Sequence, residues 1–170
     1  QILLISATSL NAQAPADIYQ DQAKKLVERI SSTKLPADDP LIAQVAAKLR
    51  TGDRMGAAAL AETHPNFLNT TVKLMALRMS TREETFRQAL NDFAASFIGV
   101  TRDDLDARQL LTGNFYYMAD ASKIPAGVTV RSDMNKDILS SDNHYTDLES
   151  PAINIGAVLK RVDGQVVLDG

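Results

Sequence analysis

Apolar residues recur at helical spacing through the first hundred positions of the chain and then lose that regularity. From Asp17 to Ser32, Ile18, Ala23, Leu26, Val27 and Ile30 share one face, while Asp21, Lys24, Lys25 and Glu28 lie mostly off it. That is the pattern of an amphipathic helix. Thr33 to Asp38 reads as a loop. Asp39-Pro40 opens a second helix, because Asp39 can cap and Pro40 suits the first helical position. Leu41, Ile42, Val45, Ala46 and Leu49 form its apolar stripe, and Gly52 ends it. Asp53 to Thr63 is a short Ala-rich helix in which Gly56 and the alanines allow close approach of a neighbour. Pro65 starts the next helix, with a seam of Leu68, Val72, Met75 and Met79. Ser80-Thr81-Arg82-Glu83 has the form of a capping box. It predicts a helix whose seam is Phe86, Leu90, Phe93 and Phe97, running into Gly99.

Beyond Gly99 the elements shorten. Asp103 or Asp104 can cap a short helix through Leu111, and Thr112-Gly113-Asn114 breaks it. Phe115 to Met118 predicts a short strand or an extended packed segment. Ala121 to Ser140 has no sustained period, with one brief strand candidate at Val128-Thr129-Val130. Asp142 or Asn143 can cap a short helix through Glu149, and Asn154 to Arg161 suggests another. Val162-Asp163-Gly164-Gln165-Val166 carries the Asp-Gly hairpin signature. The expected fold is mainly α: a helical bundle-like N-terminal part of about five helices, an irregular C-terminal stretch and little β.

Composition places this pattern among exported globular proteins. The apolar run Ile2-Leu3-Leu4-Ile5, followed by small and polar residues to Ala16, reads as the tail of a signal peptide, with Ala14-Pro15-Ala16 before Asp17 as the best cleavage site. A buried N-terminal helix or strand is the alternative. On the first reading residues 1–16 are a leader remnant. Residues 17–170 are then one mostly helical domain, periplasmic or secreted, and a fragment of a longer protein, since the abrupt Val166-Val167-Leu168-Asp169-Gly170 end is unlike a domain boundary. No other apolar run approaches the length of a membrane span. A net charge of -3 argues against a nucleic-acid partner, which needs a basic stripe. With no Cys, the chain excludes Cys-ligated zinc, iron–sulfur clusters and covalent haem within its own residues.

Candidate chemistry is sparse. Arg102, Asp103 and Asp104 offer a guanidinium and two carboxylates, which acid–base work or a hard cation could use. Adjacent Asp residues diverge on a regular backbone, and a capped turn with a surface ion pair accounts for them more simply. Asn143-His144-Tyr145 is either a small polar site or a helix cap with Tyr145 packed inward, and capping is what Asp142 or Asn143 does at such positions. Tyr116 belongs to an aromatic run, Phe115-Tyr116-Tyr117, that is either a stacking platform or core with a polar handle. His64 and His144 stand far apart without ligand spacing, so no metal is expected and His64 suits a capping role before Pro65. Motifs for a nucleophilic Ser, a P-loop or a dinucleotide fold are missing.

Several segments taken in order do carry a resemblance. They are Ala59 to Asn69 with Val72-Lys73, Leu90-Asn91-Asp92-Phe93 with Ile98 to Asp104, Leu110 to Tyr117, and Asn143 to Glu149. Over about Asp17 to Val162 the chain resembles the N-terminal part of exported bacterial c-type-cytochrome-like proteins, largely uncharacterised. More distantly it is similar to cytochrome-associated proteins of planctomycetes, where a similar helical region precedes an LL-T-x-x-[YF] segment. The resemblance implies a covalent haem c at a C-x-x-C-H site in a later portion. No position here matches the family's haem residues. The expectation is therefore a non-catalytic helical region that scaffolds or docks a haem-bearing portion, of the same protein or of a periplasmic redox partner. Alternatives are a stand-alone periplasmic binding module using the Tyr116/Tyr117 and His144/Tyr145 loops, and, less well motivated, a hydrolase using Asp103 or Asp104 with His144.

Overall fold

The computed structural model describes residues 17–80, 89–128 and 142–164. The fold is mainly α. The leader expectation, the capping-box residues after Ser80, the Thr129-Val130 strand candidate and the last six residues lie outside the described residues.

Three helices come first among the described residues, each opened by an aspartate. Asp17 caps α1 (Ile18–Ser31), accepting from the Tyr19 amide at 3.0 Å. Asp39 caps α2 (Pro40–Arg50) through the Leu41 amide at 2.8 Å, with Pro40 in the first turn. Asp53 caps α3 (Arg54–Glu62) through the Gly56 amide at 2.8 Å. Such caps satisfy amides that the helix itself leaves unpaired. Gly52, at φ +79°, closes α2: its amide reaches the Leu49 carbonyl and the Asp53 amide reaches Lys48. This is a Schellman stop, which the missing Cβ makes inexpensive. The three helices bury Ala23, Val27, Ile42, Val45, Ala46, Ala57 and Ala61 as one core. Four of those seven are alanines, and larger side chains such as Leu26, Ile30, Leu49 and Leu60 pack around them partly buried.

The chain then enters a wide π-turn (Phe67–Val72) that continues as α4 (Lys73–Met79). Here the predicted seam is corrected. Val72 is buried and Leu68 is half-buried, but Met75 and Met79 are 50% and 61% exposed. Ala76 and Leu77 point inward instead. The π-turn holds more residues per turn than an α-helix, so the face that follows is rotated relative to a seam counted at α spacing. Ser80 ends α4, with its hydroxyl bonded to the Leu77 carbonyl at 2.9 Å, and the helix start expected at its capping box falls outside the described residues.

α5 (Asp92–Arg102) starts later and ends later than its seam predicts. Asn91 caps it, accepting from the Ala94 amide at 2.9 Å. Gly99 does not stop it. Asp104 does, at φ +51°, with its amide on the Thr101 carbonyl and the Leu105 amide on Val100. This is the same Schellman geometry as at Gly52, built on a residue that tolerates the left-handed region. Asp103 and Asp104 therefore close α5 and do not cap the short helix after it, α6 (Gln109–Thr112).

β1 (Phe115–Ala119) confirms the expected strand. A short 3-10 helix (Asp142–Glu149) stands where a helix was predicted. Asn154 to Arg161 splits into α7 (Ile155–Val158) and the start of β2 (Leu159–Asp163). β2 pairs antiparallel with β1, placing Tyr117 opposite Arg161 and Phe115 opposite Asp163. Val162 and Asp163 thus end a strand paired with distant β1, and the second arm of the Asp-Gly hairpin signature lies outside the described residues. α4, α5, both strands and α7 enclose the second core, which includes Leu77, Leu90, Ile98, Tyr117, Leu148 and Leu159.

Candidate functional site

The polar groups predicted around Arg102 do converge, on Tyr117. Gly99 creates the opening: a Cβ at that position would overlap the Tyr117 ring, so only glycine lets β1 lie this close to α5. Tyr117 is fully buried and its hydroxyl emerges beside the end of α5, donating to Asp103 Oδ2 at 2.6 Å. Arg102 holds the same carboxylate through two nitrogens, Nε at 2.7 Å from Oδ1 and Nη2 at 3.0 Å from Oδ2. Its Nη1 donates to the Gly156 carbonyl at 2.8 Å and also to the Leu159 carbonyl. The guanidinium carbon sits 5.7 Å from the centre of the Tyr117 ring. From the other side Tyr145, also buried, donates its hydroxyl to the Tyr117 carbonyl at 2.6 Å.

Electrostatics follow from these contacts. The Arg102 guanidinium, helped by the Tyr117 hydroxyl and opposed by partial burial, holds the Asp103 carboxyl below its ordinary value. Burial, with the neighbouring Asp103 carboxylate, pushes the Tyr117 hydroxyl well above its ordinary value. At neutral pH the cluster is an ion pair carrying a neutral phenol. A general base needs a pKa near the operating pH and room for a substrate proton. Asp103 has neither, because its oxygens are already taken and its proton affinity is lowered. The arrangement fastens the end of α5 to β1, α7 and β2.

Of the remaining predicted residues, Tyr145 joins this cluster and Asp104 and Tyr116 do not. Asp104 is exposed at the left-handed stop of α5. Tyr116 is half-buried opposite Val162, and strand alternation puts it on the other face from Tyr117. Tyr145 packs inward, as the capping reading expected. The backbone of Asn143 and His144 lies in the 3-10 helix, and their side chains fall outside the described residues. His64 Nδ1 accepts from the Asn66 amide at 3.1 Å, a cap at the entry to the π-turn. Among the described residues no three His, Cys, Asp or Glu gather as metal ligands. The chain has no Cys to take a covalent haem, so the residues present do not fit that group.

Sequence reasoning passed over the π-turn, which is bonded to both α1 and the α7 region. Asn69 Oδ1 accepts from the Ile155 amide at 2.9 Å, and its Nδ2 approaches the Ile153 carbonyl at 3.5 Å. Thr71 donates to the Ile30 carbonyl at 2.7 Å and meets the Ser32 hydroxyl at 2.9 Å. Short polar residues inside an apolar helical seam were the only sign of it in the sequence. Two shallow depressions flank the turn. One, about 390 Å³, is lined by Ser32, Thr71, Leu74, Met75, Arg78 and Met79. The other, about 310 Å³, lies between Glu62 and Thr63 on one side and Phe67, Thr101 and Arg102 on the other. Among the described residues no helix is long and apolar enough to cross a membrane. Compared with known proteins, the chain matches no family model, no curated protein and no solved structure.

Proposed function

We propose that this chain is a non-catalytic helical module of an exported c-type-cytochrome-like protein, one that scaffolds or docks a haem-bearing portion carried elsewhere in that protein or by a periplasmic redox partner. One observation carries the reading: the residues best placed for chemistry, Arg102, Asp103, Tyr117 and Tyr145, spend their polar groups on each other and on the backbone. Among the described residues Met75 and Met79 are half or more exposed beside Leu74, an apolar patch. Thioether side chains suit contact surfaces because they are flexible and polarisable. The resemblance of the Leu90–Tyr117 region to cytochrome-like proteins supplies the kind of partner.

The coding sequence that follows codon 170, together with the visible spectrum of the exported gene product, tests this. A C-x-x-C-H motif downstream and a c-type haem spectrum are expected. A long continuation without the motif, in a product that carries no haem and co-purifies with no cytochrome, would falsify the proposal. A stand-alone binding module is the second reading, favoured by the depression beside Met75 and Met79. That reading expects a defined ligand or protein to bind the haem-free chain, and substitution of Met75 and Met79 to weaken it.

A further inference from the structure

Two separate cores make up the described chain. The core of α1, α2 and α3 shares no buried residue with the core around Tyr117 and Leu90. The contact between these two units runs mainly between α1 and the π-turn. Its directional links are side-chain hydrogen bonds. The Thr71 hydroxyl has one proton and gives it to the Ile30 carbonyl, so the Ser32 hydroxyl is the donor in the Ser32–Thr71 pair. Asn66 Nδ2 donates to the Thr33 hydroxyl at 3.1 Å. Ser32, at φ +53°, holds the end of α1 in the left-handed region. Each of these bonds is exposed or only partly buried, so water can take the place of either partner. The covalent link between the units is the short stretch from Thr63 to Asn66, containing Pro65. Both depressions sit at this seam and draw their walls from both units: Ser32 faces Thr71 and Met75 in one, and Glu62 and Thr63 face Thr101 and Arg102 in the other.

We propose that the α1–α3 unit pivots on the Thr63–Asn66 link, with the Thr71, Ile30 and Ser32 contact as its latch, so that the facing walls of both seam depressions move relative to one another. The physical ground is the contrast within the molecule. Each unit is held by a buried apolar core, which resists continuous deformation. The seam is held by solvent-replaceable hydroxyl contacts, and low-stability boundaries of this kind are where subglobal motion occurs. Pivoting changes how much of Met75 and Met79 is covered. It leaves the Arg102–Asp103–Tyr117 cluster intact, because that cluster lies wholly within the second unit.

The absence of Cys makes a direct test simple, since labels go only where cysteines are introduced. Spin labels at Gln44→Cys and Leu111→Cys, both exposed, span the seam in the full chain. Control pairs stay within one unit: Lys25→Cys with Gln44→Cys, and Leu111→Cys with Ala157→Cys. Dipolar distance measurements should give a broader distribution across the seam than within either unit. Thr71→Val should broaden or shift the seam distribution alone, and Thr71→Ser, which keeps the hydroxyl, should restore it. A seam distribution as narrow as both controls, in the unsubstituted chain and in Thr71→Val, overturns the pivot. Should Thr71→Val unfold, seen as broadening of the control pairs too, the unsubstituted comparison decides by itself.

Discussion

Two single residues, one inside α5 and one just past its end, behave opposite to what their type suggests. Gly99 looks like a terminator and lies inside the helix, buried under the Tyr117 ring. Helix propensity alone would credit Gly99→Ala with about 1 kcal/mol of stabilisation. The added methyl must instead displace the ring and its hydrogen bond to Asp103, so we expect a loss of about 1–3 kcal/mol, as for other overpacked sites. Urea unfolding measures it, and a stabilised variant would remove the close-approach argument. Asp104 looks like a catalytic or capping carboxylate and serves as the left-handed stop of α5. Asp104→Gly relieves that backbone cost and is expected to be neutral or stabilising by up to about 1 kcal/mol. A clear fall in Tm would mean that the carboxylate itself makes a contact that matters. Neither role could be read along the chain, because each depends on what lies across the helix or on a dihedral angle.

At the scale of elements, local signals worked where a helix start was concerned. Asp39 with Pro40 caps the helix expected of it, and Asp17 and Asp53, read from the sequence only as helix starts, prove to be caps as well, since a cap is decided within three residues of chain. The seam through α4 failed because the π-turn breaks the period on which such counting rests. The two readings of that helix make different predictions. A Met75→Lys, Met79→Lys double variant should change folding stability by less than about 1 kcal/mol, while Leu77→Ala should cost about 2–5 kcal/mol. Equal costs would restore the original seam. β2 was partly legible, its residues being read as a helix end and a hairpin arm. Its partner among the described residues, β1, lies far earlier in sequence, and only long-range pairing reveals that register.

The whole molecule is held by carboxylates as well as by its cores. Arg50 lowers Asp17, Lys34 lowers Glu28, Lys48 lowers Asp53, Arg102 lowers Asp103, and Arg108 lowers Asp106. A carboxyl whose folded pKa lies below its unfolded value, near 4, stabilises the fold above that pH and loses its contribution as pH falls through the folded value. Stability should therefore be flat from neutral pH to about 5 and decline below about 4. In Asp103→Asn the decline should be shallower, while stability at neutral pH is lower because a charged hydrogen-bond partner is gone. Denaturation midpoints measured across that range check both statements, and an Asp103→Asn profile parallel to the parent would show that the Arg102 pairing is energetically idle. Patterning along the chain was enough to determine a mainly α architecture, the helices at Asp17, Asp39 and Asp53 with the Asp39-Pro40 cap, and an extended segment after Asn114. These depend on hydrogen bonds and apolar periods that close within a few residues. Tertiary structure alone decided that Arg102, Asp103, Tyr117 and Tyr145 form one internal fastening, that Met75 and Met79 face outward, and that two cores meet at a polar seam. Those outcomes depend on which distant groups exclude water from one another, and the order of residues along a chain does not carry that information.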